Sequence, residues 1–290
     1  MIPFCKYEGL GNDFVLIDDP CGRVEIAPAL AAAICDRRLG IGADGLLVVA
    51  APRDPTNAGR MLYWNRDGTR AEMCGNGVRC VAKHLRDRHG IASASFAVET
   101  DAGPVRCAIR EESPALSHVE VEMAAPAFGL RAAGMTPLEQ GDGFTRTLGD
   151  REFRFVALSV GNPHAVTFDV VPPADREALG PMVEGDPAFP ARLNVGFACL
   201  TGPAEMSLDV FERGCGFTRA CGTGACAAVA AACRGGRVPW GTPVAVSLPG
   251  GLLRVTAPGP DLPILMTGPA RRVFEGTFVA RHLEPGPRPD

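Results

Sequence analysis

Two short stretches of the 290-residue sequence decide its fold. Residues 73–80 read Met-Cys-Gly-Asn-Gly-Val-Arg-Cys, and residues 220–226 read Ala-Cys-Gly-Thr-Gly-Ala-Cys. Each places a cysteine directly before a Gly-x-Gly turn that opens a helix-forming segment. After the first turn, apolar side chains recur with the spacing of an amphipathic helix that ends at Gly90. After the second turn the chain is rich in alanine as far as Cys233, which predicts a buried helix.

The two stretches belong to an internal repeat. Their cysteines, Cys74 and Cys221, lie 147 positions apart, and short matches around them occur in the same order at offsets of 143 to 150. Because matches at nearly one offset are typical of a duplicated unit, the sequence predicts two halves of similar structure. The flanking matches pair residues 11–14 with 161–164, 65–66 with 212–213, 98–106 with 246–254, and 123–127 with 266–270.

Each half is predicted to contain strands, a central helix and further strands, which is an α+β arrangement. A hairpin follows the central helix in both halves, at residues 96–109 and 244–256. An extra helix is predicted in the first half only, over residues 28–39. Residues 129–147 have little apolar periodicity and are predicted to form a connector or loop region.

Composition narrows the class of protein. Hydrophobic residues make up 46% and charged residues 21%, which is typical of a globular protein with a buried core. A net charge of −4 without a basic stripe argues against nucleic-acid binding, and the longest apolar runs fall far short of the roughly 20 residues that span a bilayer. No signal peptide is recognised, so we expect a cytoplasmic location and reduced thiols for the 11 cysteines.

The Cys-Gly-x-Gly turns can combine a base with a carboxylate-binding site. Glycine lets the backbone approach a ligand closely, and the first N–H groups of a helix are available to an anion. The helix dipole is expected to lower the thiol pKa from about 8.5 towards neutrality. If the two halves face one cleft, Cys74 and Cys221 can serve opposite faces of one α-carbon in a stereoinverting 1,1-proton transfer. That reaction needs no metal and no pyridoxal phosphate, so we expect no cofactor.

Polar residues in turn-like stretches can hold an amino-acid substrate. In the tandem Glu212-Arg213, the arginine can grip a second carboxylate and the glutamate can hold an ammonium group. His164 can tune a thiol by hydrogen bonding. Ordinary turn, salt-bridge and packing roles stay open for each of these residues. The candidate amides, which can bind both carboxylate and ammonium groups, are Asn12, Asn65, Asn162 and Asn194.

Three other functions stay open at this point. A related racemase could act on another amino acid, such as a histidine- or proline-type substrate. A pyridoxal enzyme would have to use Lys6 or Lys83, because the chain has no other lysine. A zinc or redox-sensing protein is disfavoured, because the chain has no Cys-x-x-Cys and its other cysteine spacings are poor matches to zinc knuckles. We also predict that Cys74 and Cys221 form a disulfide on mild oxidation, since both must approach one carbon.

Together the motifs closely resemble the diaminopimelate epimerases, a family of two-cysteine, cofactor-independent enzymes. The resemblance covers nearly the whole chain and its motifs are specific. It rests on residues 9–14, 40–45, 65–68, 73–80, 161–164, 194–195, 197, 212–214, 220–226, 268–270 and 273–276.

The resemblance implies two pseudo-symmetric lobes, each a strand barrel wrapped around a central helix. The N-terminal lobe would span residues 1–118 with a returning strand at about 272–284, the C-terminal lobe would span 119–271, and 285–290 would be a loose tail. The implied reaction interconverts L,L- and meso-diaminopimelate, on the route to lysine and to peptidoglycan. The implied partners are a small amino-acid substrate and a second copy of the chain in a homodimer.

The resemblance also assigns residues. Cys74 and Cys221 would be the acid/base pair, with His164 and Glu212 near the thiols. The chain departs from the usual pattern at Phe217, Gly45 and Ala165, where the family often has Glu, Gln and Cys. These departures bear on recognition of the distal end of the substrate. The implied substrate-binding residues are Asn12, Asn65, Gly75, Asn76, Asn162, Asn194, Glu212, Arg213, Gly222 and Thr223.

Overall fold

The structure is a computed structural model that describes residues 1–135 and 141–279 of the chain. The described residues divide into two compact units. The first contains Met1–Val121 and the described residues from Gly268 onward, and the second contains Glu122–Thr267. No helix within these residues is long and apolar enough to cross a membrane.

The first unit is a set of strands around one long helix. In chain order it contains β1 (Ile2–Gly9), β2 (Asn12–Asp18), α1 (Pro28–Cys35), β3 (Gly45–Ala50), β4 (Gly59–Asn65), β5 (Arg70–Ala71), α2 (Gly75–His89), β6 (Ser95–Thr100), β7 (Gly103–Glu112) and β8 (Leu116–Met123), of which β8 runs past the unit boundary. Helix α2 packs against β1, β2, β3, β4, β6 and β7, so strands surround it.

The second unit is built in the same way. It contains β9 (Ala127–Phe128), β10 (Gly143–Leu148), β11 (Arg151–Ser159), β12 (Pro163–Thr167), α3 (Pro173–Glu184), β13 (Asn194–Gly202), β14 (Glu205–Glu212), β15 (Gly216–Phe217), α4 (Gly222–Arg234), β16 (Pro243–Leu248) and β17 (Gly251–Thr256). Helix α4 packs against β11, β12, β13, β14 and β17.

The last strand, β18 (Ile264–Phe278), runs from the second unit into the first. Its residues 265–267 pair with β17, and residues 271–278 pair antiparallel with β1. The returning strand predicted at about 272–284 therefore coincides in part with β18. Residues 280–290, which include the predicted loose tail, lie outside the described residues.

Strand pairing repeats between the units. The β2–α1–β3 segment joins parallel strands, and so does β12–α3–β13. Strands β4 and β6 are parallel, as are β14 and β16. Antiparallel hairpins, β6–β7 and β16–β17, follow the central helices at the predicted positions. The predicted α+β duplication, with strands wrapped around a central helix in each half, is confirmed.

Both central helices form as the sequence predicts. In α2, Val78, Val81 and Leu85 are buried, and the helix ends at Gly90, whose φ of 66° is the left-handed conformation that glycine adopts at little cost. In α4, every residue from 224 to 233 is buried. An alanine-rich helix fits there because small side chains let the surrounding strands approach it closely.

Three predictions of local structure are wrong. Helix α1 ends at Cys35 instead of residue 39, because the Asp36 carboxylate accepts hydrogen bonds from the N–H groups of Arg38 and Leu39, both at 2.7 Å, and forms a turn. The helix is also not confined to the first half, since α3 is its counterpart. The sequence analysis did not predict α3, because this helix contains Pro181 and its apolar residues have only a weak helical periodicity.

The predicted connector contains a strand. Residues 143–147 belong to β10, which pairs antiparallel with β11. In β10 the partly buried Phe144 and Arg146 alternate with exposed residues. Before it, Leu130, Ala133 and Met135 enter the apolar core of the second unit. Residues 136–140 lie outside the described residues.

Candidate active site

Each of the two candidate thiols caps a helix. Cys74 and Cys221 have extended backbones directly before α2 and α4. The N–H of Gly77 donates to Cys74 Sγ at 3.4 Å, and the N–H of Gly224 donates to Cys221 Sγ at 3.3 Å. Such a donor stabilises a thiolate more than a thiol. The repeat therefore places two thiols in the same local geometry, each at a helix N-terminus.

The third residue of each turn has to be small. A Cβ on Gly77 would lie 3.0 Å from Leu47 Cδ2 and 3.6 Å from Cys74 Sγ. A Cβ on Gly224 would lie 2.9 Å from Val210 Cγ2 and 3.2 Å from Cys221 Sγ. Glycine thus lets the thiol lie directly over the first turn of the helix. The space around the glycine is smaller in the second unit than in the first.

Side-chain amides in the first unit form a chain that ends on a buried arginine. Asn76 Nδ2 donates to Asn12 Oδ1 at 3.1 Å, and Asn12 Nδ2 donates to Asp44 Oδ2 at 3.2 Å. Arg79, which is fully buried, donates to Asn76 Oδ1 at 2.7 Å. Arg79 lies within residues 73–80, but the sequence analysis gave it no role, because an arginine in the middle of a helix is usually exposed at the surface.

An ion network supports this amide chain from behind. Lys6 Nζ lies 2.5 Å from Asp13, and Arg37 contacts both Asp13 and Asp44. Burial opposes charge on Asp13, but hydrogen bonds from Arg37 and Lys6 outweigh it and lower the pKa of Asp13 to about 2. Asp44, which accepts a hydrogen bond from Asn12, is therefore paired with Arg37, and Asp13 is paired with both Arg37 and Lys6.

Asn65 lies at the same strand end as Asn12. Gly45 of β3 is paired with Phe14 of β2 on one side and with Asn65 of β4 on the other. Asn65 Nδ2 donates to Thr69 Oγ1 at 3.0 Å across a tight turn. The first unit thus brings Asn12, Asn65 and the start of α2 to one end of its strands.

The second unit repeats the amide contact with different residues. Asn162 Nδ2 donates to Thr223 Oγ1 at 3.3 Å, as Asn76 bonds to Asn12 in the first unit. Thr223 Oγ1 also lies 3.6 Å from Cys221 Sγ. The predicted mirror pair, Asn12 and Asn162, therefore touches the first turn of the central helix in each unit.

Asn194 positions the backbone of Arg213. Asn194 Nδ2 donates to the Pro163 carbonyl at 3.0 Å, and its Oδ1 accepts the N–H of Arg213 at 3.1 Å. The Arg213 guanidinium donates from one nitrogen to the Ala191 carbonyl at 2.9 Å, and the residue is exposed. The charged end of Arg213 is thus oriented while it remains accessible to a ligand.

Cys221 carries its own carboxylate neighbour. Burial raises the pKa of Cys221 well above its ordinary value, and the adjacent Glu212 raises it further, against the Thr223 hydroxyl and the Gly224 N–H. Burial also raises the pKa of Glu212, against hydrogen bonds from Thr218 and Cys221. The prediction that the helix dipole lowers this thiol pKa is wrong for Cys221, because loss of solvent at a 4% exposed residue outweighs the dipole.

His164 is a neutral, buried side chain. Burial, helped by the positive charge of Arg213, lowers the pKa of His164 to about 3. Its Nε2 lies 3.0 Å from Asn162 Oδ1, so the ring orients an amide of the second unit. Its predicted action on a thiol stays a prediction.

Two of the alternative functions lose support from the side-chain contacts. Lys6 is bound to Asp13 and the Gly42 carbonyl, and Lys83 is fully buried among Asp87, Ser117 and the Ser113 carbonyl. Neither amine is presented as a Schiff-base nucleophile. The eleven cysteines, all within the described residues, are not in disulfides, and no group of three or more metal-ligating side chains within residues 1–135 and 141–279 includes a cysteine.

The departures from the family pattern have structural correlates. At Gly45, a Cβ would lie 2.5 Å from Tyr63 Cε2 and 2.8 Å from the Trp64 carbonyl, so the Tyr63 ring fills the space that a larger side chain would need. Phe217 packs on Phe211, with ring centroids 5.2 Å apart, and is 37% exposed. Ala165 is fully buried in the core of the second unit.

A sequence model of the family described as diaminopimelate epimerase matches residues 4–128 and 156–273, well over half of the chain. The chain belongs to the diaminopimelate epimerase family. Among diaminopimelate epimerases, that of Teredinibacter turnerae is 42% identical over 94% of this chain and 97% of the relative, and that of Desulfitobacterium hafniense is 41% identical over 94% and 97%.

Solved structures with the same fold extend beyond the diaminopimelate epimerases. A probable proline racemase from Agrobacterium radiobacter K84 has a TM-score of 0.71 at 14% identity, covering 96% of this chain and 93% of that one. A phenazine biosynthesis protein of the PhzF family from Bacillus anthracis has a TM-score of 0.68 at 18% identity, covering 96% and 99%. At these identities the likeness concerns the fold alone.

Proposed function

We propose that this chain is an isomerase that interconverts L,L- and meso-2,6-diaminopimelate, with Cys74 and Cys221 as the acid/base pair. The observation that carries the proposal is the duplicated thiol site: two cysteines at repeat-equivalent positions, each bonded to the third N–H of a buried helix. Relatives more than 40% identical over nearly the whole chain are diaminopimelate epimerases, which supports this substrate.

The helix N-termini are proposed to hold the reacting end of the substrate. The substrate α-carboxylate accepts hydrogen bonds from backbone N–H groups of Gly75 and Asn76 and of Gly222 and Thr223, where helix ends favour negative charge. As the α-proton leaves, charge spreads onto that carboxylate. The same N–H groups therefore stabilise the transition state more than the ground state.

The proton inventory at rest follows from the surroundings of Cys221. Because burial and Glu212 favour its neutral form, Cys221 starts as the thiol and donates the proton. In that direction the half-buried Cys74 is the base, and it removes the α-proton as a thiolate. After one turnover Cys74 carries the proton and Cys221 does not, so both must exchange protons before the next turnover in the same direction.

The remaining polar residues are proposed to bind the other polar groups of the substrate. Arg213 can bind a carboxylate with the guanidinium nitrogens that do not contact Ala191. Glu212 can hold an ammonium group while it contacts Cys221. The amides Asn12, Asn65, Asn162 and Asn194 complete the binding set, and His164 holds Asn162 in the orientation that binding needs.

We also propose a homodimer in the cytoplasm, with lysine and peptidoglycan precursor biosynthesis as the role. These points rest on family membership. Light scattering coupled to size-exclusion chromatography tests the dimer, and a mass equal to one chain would contradict it.

A substrate panel tests the function. Reduced protein is incubated separately with L,L-diaminopimelate, L-proline and L-histidine, and the stereoisomers are resolved by chiral chromatography. We expect meso-diaminopimelate from the first and no inversion of the other two. Inversion of proline or histidine, with diaminopimelate unchanged, would contradict the assigned substrate while leaving the thiol chemistry intact.

A further inference from the structure

A second cluster of functional side chains lies at the other end of helix α2 from Cys74. It consists of Asp18, at the end of β2, and His84 and His89, in the last two turns of α2. Each offers one ligand atom, and the three atoms lie within 4.8 Å of one another. The sequence analysis missed it because it considered cysteine ligands only, and because Asp18 is separated from the histidines by about 70 positions.

The distances suit a small borderline cation. Asp18 Oδ2 lies 3.2 Å from His84 Nε2 and 2.8 Å from His89 Nε2. In a tetrahedral site with metal–ligand bonds of about 2.0 Å, neighbouring ligand atoms lie about 3.3 Å apart. The Asp18–His84 separation matches that value and the Asp18–His89 separation is about half an ångström shorter, while the three ligand atoms all lie within 4.8 Å of one another. Rotation of the partly exposed His89 side chain would adjust its distances to a shared metal.

His84 supplies the observation that separates this cluster from an ordinary ion pair. The residue is 2% exposed, and its Nε2 is buried without a hydrogen-bond partner among residues 1–135 and 141–279. A buried polar atom without a partner is costly. It lies 3.2 Å from Asp18 Oδ2 but outside hydrogen-bond geometry, so a cation bound by both atoms would satisfy both.

The ring of His84 is held from behind as metal ligands usually are. Its Nδ1 lies 3.3 Å from the Tyr7 hydroxyl, and the two rings meet edge to face. When Nδ1 carries the proton and donates to Tyr7, the lone pair of Nε2 faces the cluster. An outer hydrogen bond of this kind fixes both tautomer and ring orientation in metal sites.

The site is also accessible. The side chains of Asp18 and His89 are 33% and 27% exposed, so a hydrated ion can enter and keep water in the remaining positions. Two imidazoles and one carboxylate are a ligand set typical of Zn²⁺, Co²⁺ and Ni²⁺, whereas Mg²⁺ and Ca²⁺ prefer oxygen ligands.

We infer that Asp18, His84 and His89 form a binding site for a divalent transition-metal cation that clamps the C-terminal part of α2 to β2. The cation carries no role in the proton transfer. It stabilises the helix whose N-terminus holds Cys74, and it is independent of the proposed epimerase reaction.

Cobalt titration tests the site on the full-length, chelator-treated protein, with thiols kept reduced by a phosphine. Cobalt distinguishes the ligands, because thiolates give an intense charge-transfer band and histidine with carboxylate gives only weak visible bands. We expect one equivalent to bind without the thiolate band. Saturating Co²⁺ should raise the melting temperature by about 5 °C.

Substitutions assign the ligands. Asp18→Asn and His89→Gln, both at accessible positions, should abolish binding and the thermal shift while keeping the circular dichroism of the parent. His118→Gln is the matched control, because His118 pairs with the exposed Glu111 on other strands. No binding by the parent protein, a thiolate band at one equivalent, or unchanged binding in both ligand variants would each overturn the inference.

Discussion

Cys74 and Cys221 lie in the same backbone conformation at a helix N-terminus, but the side chains around them differ in charge. Both thiols cap a helix through the same contact. In both units an asparagine at or directly before the start of an earlier strand, Asn12 of β2 or Asn162 before β12, bonds to the second residue of that helix. The position of Glu212, next to Cys221, is occupied in the first unit by Asn65, which bonds to Thr69 instead.

This difference shows how a duplicated unit can yield two unequal reactive groups. The helix N-terminus that we propose to bind the substrate carboxylate is kept in both copies. Burial raises the pKa of Cys221, and the glutamate that replaces asparagine in the second copy raises it further. In a two-base reaction one group must start with a proton and the other without, and the glutamate beside Cys221 favours the protonated form of that thiol.

Removing either thiol should have the largest effect. Cys74→Ala and Cys221→Ala should each lower the rate of epimerisation by about 10²-fold or more, since a positioned acid or base contributes 10²–10⁴-fold. The exposed Cys199→Ala variant should keep the parent rate. Chiral chromatography of the product gives the rates. A parent-like rate in Cys74→Ala or in Cys221→Ala would contradict the proposal that the two cysteines act as an acid/base pair.

Neutralising Glu212 should make the second site resemble the first. Because the Glu212 carboxylate raises the pKa of Cys221, alkylation of Cys221 by iodoacetamide should shift to lower pH in Glu212→Gln. The same substitution should reduce the epimerisation rate by about tenfold or more. Mass spectrometry of the Cys221 peptide measures the profile. Glu205→Gln, at the exposed start of the same strand, is the control. An unshifted profile would mean that burial alone sets the difference.

Replacing the third residue of each turn, Gly77 or Gly224, with alanine should affect the two units differently, because the space for a Cβ differs. Gly224→Ala should lower stability by about 1–2 kcal/mol and impair catalysis, because its Cβ meets Val210 and Cys221. Gly77→Ala should be nearly neutral, because alanine favours the helix by about 1 kcal/mol and the Leu47 side chain can move. Melting temperatures and rates of both variants measure this. The reverse order would contradict the tighter fit in the second unit.

Lowering the pH should reduce the stability of the first unit, because Asp13 becomes protonated. The repeat places Pro163, which does not titrate, at the equivalent position of the second unit. The folded pKa of Asp13, about 2, lies below its unfolded value, so the stabilisation is full above about pH 5 and is lost as the pH falls towards 2. The loss is at most about 2 kcal/mol. Urea unfolding at pH 6 and pH 3 should show a smaller difference in Asp13→Asn, and an equal difference would exclude this ion network as the cause.

Much of the fold could be predicted because it is local and repeated. The Cys-Gly-x-Gly turns, the helical spacing after Gly77 and the paired hairpins are all visible within short windows. Helix α3 was missed because its proline and weak periodicity are overridden by packing against β13 and β14. Strand β10 was missed because its pattern is legible only beside its partner, β11.

The residue types of the candidate site can be named from the sequence, but their electrostatics cannot. The thiols and amides stand in recognisable motifs. The raised pKa of Cys221 could not be read from the sequence, because burial is a property of the packed core. The roles of Arg79 and of His84 were likewise invisible, since both depend on contacts with segments distant in sequence.

The most direct test of the central claim is the origin of the hydrogen on the inverted carbon. Reduced protein converts L,L-diaminopimelate in heavy water, and the stereoisomers are separated at low conversion for mass spectrometry. Two thiols on opposite faces predict one deuterium at the inverted carbon of the meso product and none in the remaining L,L substrate. Deuterium appearing equally in the remaining substrate, or a product that keeps the original hydrogen, would show a single base and contradict the account.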